Sequence, residues 1–303
     1  MMKEHRDLYQ IVTEKILAEL EHGTVPWHKP WKGARNLITD REYRGINAML
    51  LGVQPYDSPY WLTMKQCNEL GGHVRKGERS SLVVFWHWAE ATETEEDTSE
   101  ETVKKHAMLR YYLVFNVEQC EGVRMPRRPQ HQAPNPIGAA QTIVETMPNA
   151  PAIHNSSGSA YYDIPSDSVH VPTPEHFESA EEYHSVLFHE LVHSTGHSSR
   201  CARGIETNGR FGSTSYSKEE LVAEMGAAFL CARAGIGTRT IDNSAAYING
   251  WLVALRKDRR LVVMAASAAQ RAADYILCAP GPVSSGPSVQ LLAPREWAQG
   301  VAA

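Results

Sequence analysis

The chain has 303 residues and a formal net charge of −5, with 42% apolar and 21% charged residues. These proportions exclude wholesale disorder, whereas the global charge says little about partners. No apolar run approaches the roughly 20 residues that span a bilayer, and the N-terminus lacks the apolar region of a signal peptide. The five cysteines form no Cys-x-x-Cys pair, which excludes a disulfide framework and a thiolate zinc knuckle. We therefore expect a cytoplasmic protein with reduced thiols and no membrane partner.

The N-terminal part of the chain combines helical and strand patterns. Apolar residues recur at helical spacing over 3–22, and Thr63 and Gln66 form the capping box of a second, short helix. An acidic stretch at 90–101 has no apolar periodicity and is predicted to be a solvated hairpin insertion. The strands of a small antiparallel sheet are predicted on either side of it, at 81–88 and 109–117.

A proline-rich segment at 124–137 has the composition of a linker and divides the chain. The predicted fold class is α+β, with an N-terminal α/β domain at 1–123, a second domain at 138–279 and a loosely ordered tail at 280–303. In the second domain, helices are predicted at 139–145, from the cap Ser179 to 194, from the cap Ser217 to 234 and over 245–277, and short strands at 160–164 and 169–171.

The strongest functional signal is a His-Glu-x-x-His motif formed by His189, Glu190 and His193. Because residues i and i+4 share a helix face, both imidazoles can point at one metal ion. Glu190 is suited to accept a proton from the attacking water and to pass it to a leaving amine. The motif predicts a zincin-like metallopeptidase domain with Glu190 as the catalytic residue. The alternative is a pair of histidines on the surface of an ordinary helix.

Two acidic residues of a later helix, Glu220 and Glu224, are candidates for the third metal ligand. The metzincin pattern fails because residue 199 is serine instead of histidine. We expect the gluzincin pattern, in which Glu220 binds the metal and Glu224 supports a ligand imidazole. Glu224 is the ligand instead if Glu220 only completes a capping box with Ser217. Zn²⁺ is the expected metal, and Mn²⁺ can replace it. Two further histidines are weaker candidates: His197, and His184, which is expected on the helix surface.

Peptide hydrolysis is the reaction class that such a metal site predicts, which makes the chain a candidate zinc metallopeptidase. An extended peptide substrate could pair with an exposed strand edge, either at 160–164 or at 169–171. Each of these runs is equally consistent with an ordinary structural strand. The sequence carries no information on subsites.

Aromatic and basic residues are interleaved between positions 27 and 76. Single-stranded nucleic acid favours such a surface, because bases stack on rings while lysine and arginine contact the phosphates. The pattern contains no recognition helix or zinc finger of the kind that reads duplex DNA. The same composition also fits a tryptophan-rich core beneath solvated charge. The candidate DNA-binding residues are Trp27, Lys29, Trp31, Lys32, Tyr43, Arg44, Asn47, Trp61, Lys65, Gln66, Arg75 and Lys76.

Several separate motifs carry a family resemblance. In the first half they are the runs 23–31, 43–47, 61–66, 72–77 and 114–119. Together they resemble the N-terminal domain of ArdC-type antirestriction proteins, a domain also shared with certain plasmid primases. The second half, with 189–193 and 219–230, is similar to the zincin-type metallopeptidase domain fused to it in the same proteins.

The resemblance covers about 5–278 and implies a plasmid or mobile-element protein. Such a protein binds single-stranded DNA and protects DNA that enters by conjugation from host restriction. A protein or peptide of the host restriction machinery is the further partner that the peptidase domain implies. Two alternatives stay open: a metalloprotease whose front domain recognises a protein, and a single-stranded-DNA-binding protein whose zincin domain is catalytically idle.

Overall fold

A computed structural model of the chain describes residues 7–28, 33–94, 101–124, 135–205, 214–237 and 245–279. In the first half the elements are helices α1 (Leu8–Glu21), α2 (Ile46–Gly52) and α3 (Met64–Glu69), a 3-10 turn at Pro26–His28, and strands β1 (Arg35–Asn36), β2 (Tyr60–Leu62), β3 (His73–Val74), β4 (Ser81–Thr94), β5 (Glu101–Asn116) and β6 (Cys120–Glu121). In the second half they are helices α4 (Pro136–Thr146), α5 (Ala180–Ser194), α6 (Thr214–Ala234), α7 (Ala245–Lys257) and α8 (Leu261–Ile276), and strands β7 (Ala152–Ser156), β8 (Tyr161–Asp163) and β9 (Ser168–Pro172).

The main sheet of the first half has the strand order β1-β2-β5-β4. β4 and β5 are antiparallel and stay in register from the pair Ser81–Val114 to the pair Thr94–Glu101. The two predicted strands are therefore confirmed, and they are longer than the sequence indicates. The acidic stretch is expected to be a hairpin insertion, and its residues 90–94 and 101 extend the two antiparallel strands, because backbone pairing needs no apolar side chains. Residues 95–100 lie outside the described residues.

The predicted capping box of α3 is confirmed. The Thr63 hydroxyl accepts the backbone N–H of Gln66 at 3.2 Å, and the Gln66 side chain accepts the backbone N–H of Thr63 at 2.9 Å. Two of the orphan N–H groups at this helix start are thereby satisfied. After the helix, Gly71 has a φ of +79°, a conformation that glycine adopts without the steric cost of a Cβ.

The sheet of the second half has the strand order β7-β9-β8. β9 is the central strand, and its valines, Val169 and Val171, are fully buried. The prediction that 169–171 offers a free edge to a peptide is therefore wrong, because both edges of this strand are already paired. The other predicted strand, 160–164, corresponds to β8, which lies at an edge. β7 was not predicted.

Two helices differ from the sequence prediction. α6 begins at Thr214, so Ser217 lies inside the helix and does not cap it. The predicted helix over 245–277 is divided into α7 and α8, because Asp258 accepts the backbone N–H of Arg260 at 2.9 Å in place of a helical hydrogen bond. The helix that Ser179 caps is confirmed as α5: the Ser179 hydroxyl accepts the backbone N–H of Glu182.

One of three apolar clusters joins elements from both halves of the chain. Helix α1 and the Pro26–His28 turn contribute to it together with α5, α6, α7 and α8. Hydrogen bonds also connect the two halves. Thr13 donates to the carbonyl oxygen of Arg259 at 2.7 Å, and Gln270 accepts the backbone N–H of Gly45 at 2.9 Å. The residues 125–134 of the expected linker, and the expected tail at 280–303, lie outside the described residues. None of the described helices is long and apolar enough to cross a bilayer.

Candidate metal centre

Helix α5 carries the His-Glu-x-x-His motif on its buried side. Phe188, Leu191 and Val192 pack into the core and fix the rotation of the helix, so that its neighbouring histidines face α6. His189 is only 4% exposed. The Nε2 atoms of His189 and His193 lie 3.1 Å apart, as two ligands of one ion would.

Helix α6 brings a carboxylate to both imidazoles. One Glu220 oxygen lies 3.5 Å from Nε2 of His193, and the other lies 3.7 Å from Nε2 of His189. The three side chains offer ligand atoms that all lie within 4.8 Å of one another. Since Ser217 is not a helix cap, the competing role of Glu220 in a capping box disappears. Two imidazole nitrogens and one carboxylate fit a divalent ion and leave a ligand position open.

Glu224, one turn further along α6, lies behind the first histidine. It is 3% exposed, and its Oε1 lies 3.9 Å from Nδ1 of His189, slightly beyond hydrogen-bond distance. This Nδ1 is buried without a hydrogen-bond partner. The second oxygen, Oε2, lies 3.2 Å from Nε2 of His28. The geometry thus separates the two candidates: Glu220 is near both Nε2 atoms, whereas Glu224 is near the opposite nitrogen of one ring.

Glu219 is a site residue that sequence reasoning missed. Its Oε1 lies 3.6 Å from Nδ1 of His193, and both of its oxygens accept hydrogen bonds from the Arg203 guanidinium. Arg203 also donates to the Thr195 hydroxyl and to the carbonyl oxygen of Val192. Burial would raise the pKa of Glu219, but His193 and Arg203 lower it below its usual range. No sequence signal links Arg203 to Glu219, because the two residues are 16 positions apart and follow no helix or strand spacing.

The electrostatics of the site favour a positive charge. Burial would lower the pKa of His189, but the contact with Glu220 and the charges of Glu224 and Glu190 outweigh burial and raise it to about 9. Glu190 is itself buried beside His189 on α5. A cluster of carboxylates that stabilises an imidazolium also suits a divalent cation in its place, and metal ions bind after displacing such protons.

The two weaker histidine candidates lie elsewhere. His184 is buried, which corrects the expectation of a surface position, and its Nδ1–H donates to the carbonyl oxygen of Ala180 at 2.7 Å. His197 follows the end of α5 and contacts the Ser199 hydroxyl at 2.8 Å. Among the described residues, the ligand group contains neither of them.

Several predicted DNA-binding residues are structural. Trp27 is 0% exposed, and Trp61 is also buried, so neither indole can stack on a base in this conformation. Asn47 is buried and makes two 2.7 Å hydrogen bonds, one to the N–H and one to the carbonyl oxygen of Val84. Gln66 serves the capping box. Arg44 forms an ion pair with Asp274 of α8. The burial of Trp27, Trp61 and Asn47 corrects the expectation that they face DNA, whereas the partly exposed Gln66 and Arg44 stay predictions.

The remaining candidates differ in their positions. Lys65, Arg75 and Lys76 are exposed, Lys65 beside Glu69 and Arg75 bonded to Glu78. Lys29, Trp31 and Lys32 lie outside the described residues.

Tyr43 belongs to a half-buried aromatic row that sequence reasoning missed. Its ring lies 6.5 Å from that of Phe85, which lies 5.5 Å from that of Tyr112. The exposed Arg110 is paired with Phe85 in the sheet register, on the same face. Strand alternation in β5 could have indicated this row.

Two family models match the chain in succession. The N-terminal domain of anti-restriction factor ArdC matches residues 6–115, and a zincin-like metallopeptidase model matches residues 139–268. The metal-free crystal structure of the antirestriction ArdC protein from plasmid R388 is similar to this chain, with 40% identity and a TM-score of 0.72 over 89% of this chain and 96% of that one. The Mn(II)-bound structure of the R388 protein gives 37% identity and a TM-score of 0.70 over 91% and 99%.

Relatives identified by sequence include proteins of very different length. The uncharacterized protein y4eC of Sinorhizobium fredii is 34% identical over 89% of this chain and 91% of its own length. Two proteins of Escherichia coli, each described as DNA primase TraC, are 33% and 32% identical over 91% of this chain. The chain spans only 28% and 20% of the length of these two relatives.

The matches and the fold define an α+β protein that joins an ArdC N-terminal domain to a zincin-like metallopeptidase domain. A zincin-like domain implies metal binding, and the ligand group between α5 and α6 fits that implication. The chain belongs to the ArdC family of antirestriction proteins.

Proposed function

We propose that this protein binds single-stranded DNA with its N-terminal half and protects incoming DNA from host restriction. We further propose that it carries a gluzincin-type metal site suited to peptide hydrolysis. Membership of the ArdC family supports the first two activities. The convergence of His189, His193 and Glu220 within a zincin-like domain is the observation that carries the third.

His189, His193 and Glu220 would hold the metal ion. Zinc is the default for two imidazoles and a carboxylate, and manganese accepts the same donors. The R388 relative has been described in a Mn(II)-bound form, which supports manganese as the alternative here. When bound, a divalent ion supplies Lewis acidity toward water and toward a carbonyl oxygen.

The chain's own residues supply positioning and proton transfer. Glu190, buried beside His189, accepts a proton from the attacking water and delivers it to the leaving amine. Glu224 behind His189 and Glu219 behind His193 orient the two imidazoles. β8 lies at a sheet edge, where an extended peptide substrate can add a strand.

The DNA surface that we favour is the aromatic row of Tyr43, Phe85 and Tyr112 with Arg110 beside it. These rings are partly accessible, whereas the buried tryptophans are not. Stacking on such rings contributes about 1–3 kcal/mol per base, and arginine adds a phosphate contact. Lys65, Arg75 and Lys76, which are exposed, stay candidates for phosphate contacts together with Lys29 and Lys32, and Trp31 stays a candidate for base stacking.

A filter-binding titration of the full-length protein tests DNA binding. Single-stranded oligonucleotides should bind more tightly than duplexes of the same sequence, and the affinity should fall as salt rises because phosphate contacts release counterions. Equal affinity for both forms would contradict the proposal. A salt-independent affinity would contradict the phosphate contacts.

Variants of the metal site separate peptide hydrolysis from the other activities. His189→Ala should lose most bound metal, whereas Glu190→Ala should keep it, because Glu190 is not one of the three ligands. Protection of transferred plasmid DNA is then measured in cells with a restriction system. Loss of protection in Glu190→Ala would support a role for hydrolysis. Undiminished protection would favour the alternative of a DNA-binding protein with an idle zincin domain.

A further inference from the structure

A histidine of the N-terminal half reaches the metal centre of the second domain. His28 ends the Pro26–His28 turn, within the part of the chain that matches the ArdC N-terminal domain. Its Nε2 lies 3.2 Å from Oε2 of Glu224, and both side chains are almost completely buried. Because a carboxylate only accepts hydrogen bonds, the Nε2 of His28 carries the hydrogen that this contact needs.

The His28 ring lies edge-on to two indole rings, those of Trp27 and Trp251. Trp27 is completely buried and packs edge-on against Trp251 of α7, with ring centroids 5.1 Å apart. The His28 ring itself lies edge-on to the same Trp251, at 6.5 Å. A ring held in this way has little rotamer freedom left to lose when it makes a hydrogen bond. The aromatic pair therefore aims the N–H of His28 at Glu224.

Glu224 in turn lies between His28 and a ligand imidazole. One of its oxygens faces His28, while the other lies 3.9 Å from Nδ1 of His189, the buried nitrogen without a hydrogen-bond partner. A shift of about 1 Å would bring this oxygen to a hydrogen-bond distance of about 2.9 Å. His28 therefore restricts where the Glu224 carboxylate can sit, and Glu224 restricts the tilt of the His189 ring.

We propose that His28 is a positioning residue of the metal centre, so that the N-terminal half completes a site that the zincin-like domain does not complete alone. The inference rests on the proposed metal centre of His189, His193 and Glu220. In this view the Pro26–His28 turn contributes to metal affinity as well as to packing. Partners that align metal-ligating histidines typically change metal affinity by about 10–100-fold, and His28 acts through one of them.

The test is a titration of the full-length protein with Co²⁺, followed by the visible absorption of the bound ion. His28→Phe keeps a ring against Trp251 but removes the N–H, so we expect Co²⁺ affinity about tenfold weaker and a shifted absorption spectrum. His28→Gln offers an amide N–H to Glu224 and should restore most of both. His22→Phe is the matched control, because His22 is exposed at the end of α1 and should leave affinity and spectrum unchanged.

The possible results are distinguishable. Co²⁺ affinity and a spectrum equal to wild type in His28→Phe would overturn the inference and leave the metal centre intact. An equal loss in His28→Phe and His28→Gln would also overturn it, because packing would then explain the effect. Absence of Co²⁺ binding in the wild-type protein would overturn the metal centre itself and the inference with it. If His28→Phe does not fold, His28→Ala carries the same expectation.

Discussion

Gly226 of α6 lies directly against Val192 of α5: a Cβ on this glycine would stand 2.8 Å from both methyl carbons of the valine. Real Cβ atoms do not approach other carbons so closely, so only glycine allows the two helices to pack at this distance. Val192 precedes the ligand His193, and Gly226 lies two residues after Glu224. The close approach therefore sets the separation between the histidines of α5 and the carboxylates of α6.

Gly226→Ala should destabilise the protein by about 1–3 kcal/mol, because the added methyl group overpacks a buried helix contact. The displaced Val192 should carry His193 away from Glu220, so metal affinity should fall as well. Urea unfolding measures the first effect and metal titration the second.

Gly250→Ala is the control for the intrinsic preference of alanine in helices. Gly250 is exposed within α7, and nothing lies within 4 Å of the position of its Cβ. This substitution should stabilise the protein by about 0.5–1 kcal/mol and leave metal affinity unchanged. A Gly226→Ala variant that behaves like Gly250→Ala would show that the two helices can separate without cost.

Arg44 and Asp274 link the two halves of the chain, and removal of the arginine should cost stability. Asp274 is buried, and burial raises the pKa of its carboxyl group although Arg44 opposes the effect. Arg44→Ala leaves this carboxylate with Gln270 as its remaining polar neighbour, at 3.1 Å. We expect a loss of about 1–3 kcal/mol in urea unfolding, the usual cost of a buried polar group without its partner.

Asp274→Asn in the Arg44→Ala background is the matched test of this ion pair. The neutral amide removes the buried charge, so the double variant should recover part of the stability. DNA affinity is measured in parallel by filter binding. If Arg44→Ala keeps its stability but binds DNA more weakly, Arg44 is a DNA-binding residue, as its sequence context indicates.

Asp167 and Arg200 should make stability depend on pH. The hydrogen bonds from the buried Arg200 guanidinium hold the pKa of the Asp167 carboxyl below its usual range. Because this pKa is lower in the folded than in the unfolded protein, the ion pair stabilises the fold fully at pH values above the ordinary carboxyl pKa of about 4. The stabilisation is lost as the pH falls through the lowered pKa of the folded state. Arg200 also donates to the carbonyl oxygen of Ser194, so the pair holds the end of α5.

Asp167→Asn measures that contribution. Asparagine tolerates the positive φ of this position, 47°, so backbone strain should not obscure the result. We expect a loss of about 1 kcal/mol at pH 7, because Asp167 is a third exposed and solvent screens the pair. The difference from wild type in thermal unfolding should shrink below about pH 4. A difference that is constant between pH 7 and pH 3 would contradict the role of charge.

The sequence predicts those parts of the structure that depend on neighbours along the chain. The capping box of α3 and the Ser179 cap of α5 are local patterns, and both helices begin where these patterns indicate. Ser217 shows the limit of such signals: its pattern also occurs inside helices, and here the three preceding residues are helical. A capping pattern marks a start only where the chain before it cannot continue the helix.

Contacts between distant segments were not predictable from the sequence. The residues that flank Trp27 and Trp61 in the sequence are compatible with base stacking and with a place in the core. Which of the two occurs depends on the elements that pack against each indole. Trp27 is covered by Trp251, which lies beyond the proline-rich segment. His28 likewise reaches the metal centre from a turn, and Glu219 of α6 is held there by the distant Arg203, contacts that no periodicity encodes.

Tyr112 should contribute to DNA binding, whereas its neighbour Tyr111 should not. Successive side chains of a strand point to opposite faces, so Tyr112 joins the row with Phe85 while Tyr111 lies on the other face of β5. Tyr112→Leu keeps apolar packing but removes the ring on which a base can stack. We expect about 1–3 kcal/mol weaker binding of single-stranded oligonucleotides in filter-binding titrations.

Tyr111→Leu is the matched control for that substitution, because Tyr111 is the more exposed of the two and has the same chemistry. The dependence of affinity on salt should be the same in both variants, since neither tyrosine neutralises a phosphate. If both substitutions weaken binding equally, the aromatic row has no special part in DNA recognition. If only Tyr111→Leu weakens binding, the DNA would have to contact the opposite face of the sheet, where Trp86 packs against Tyr9.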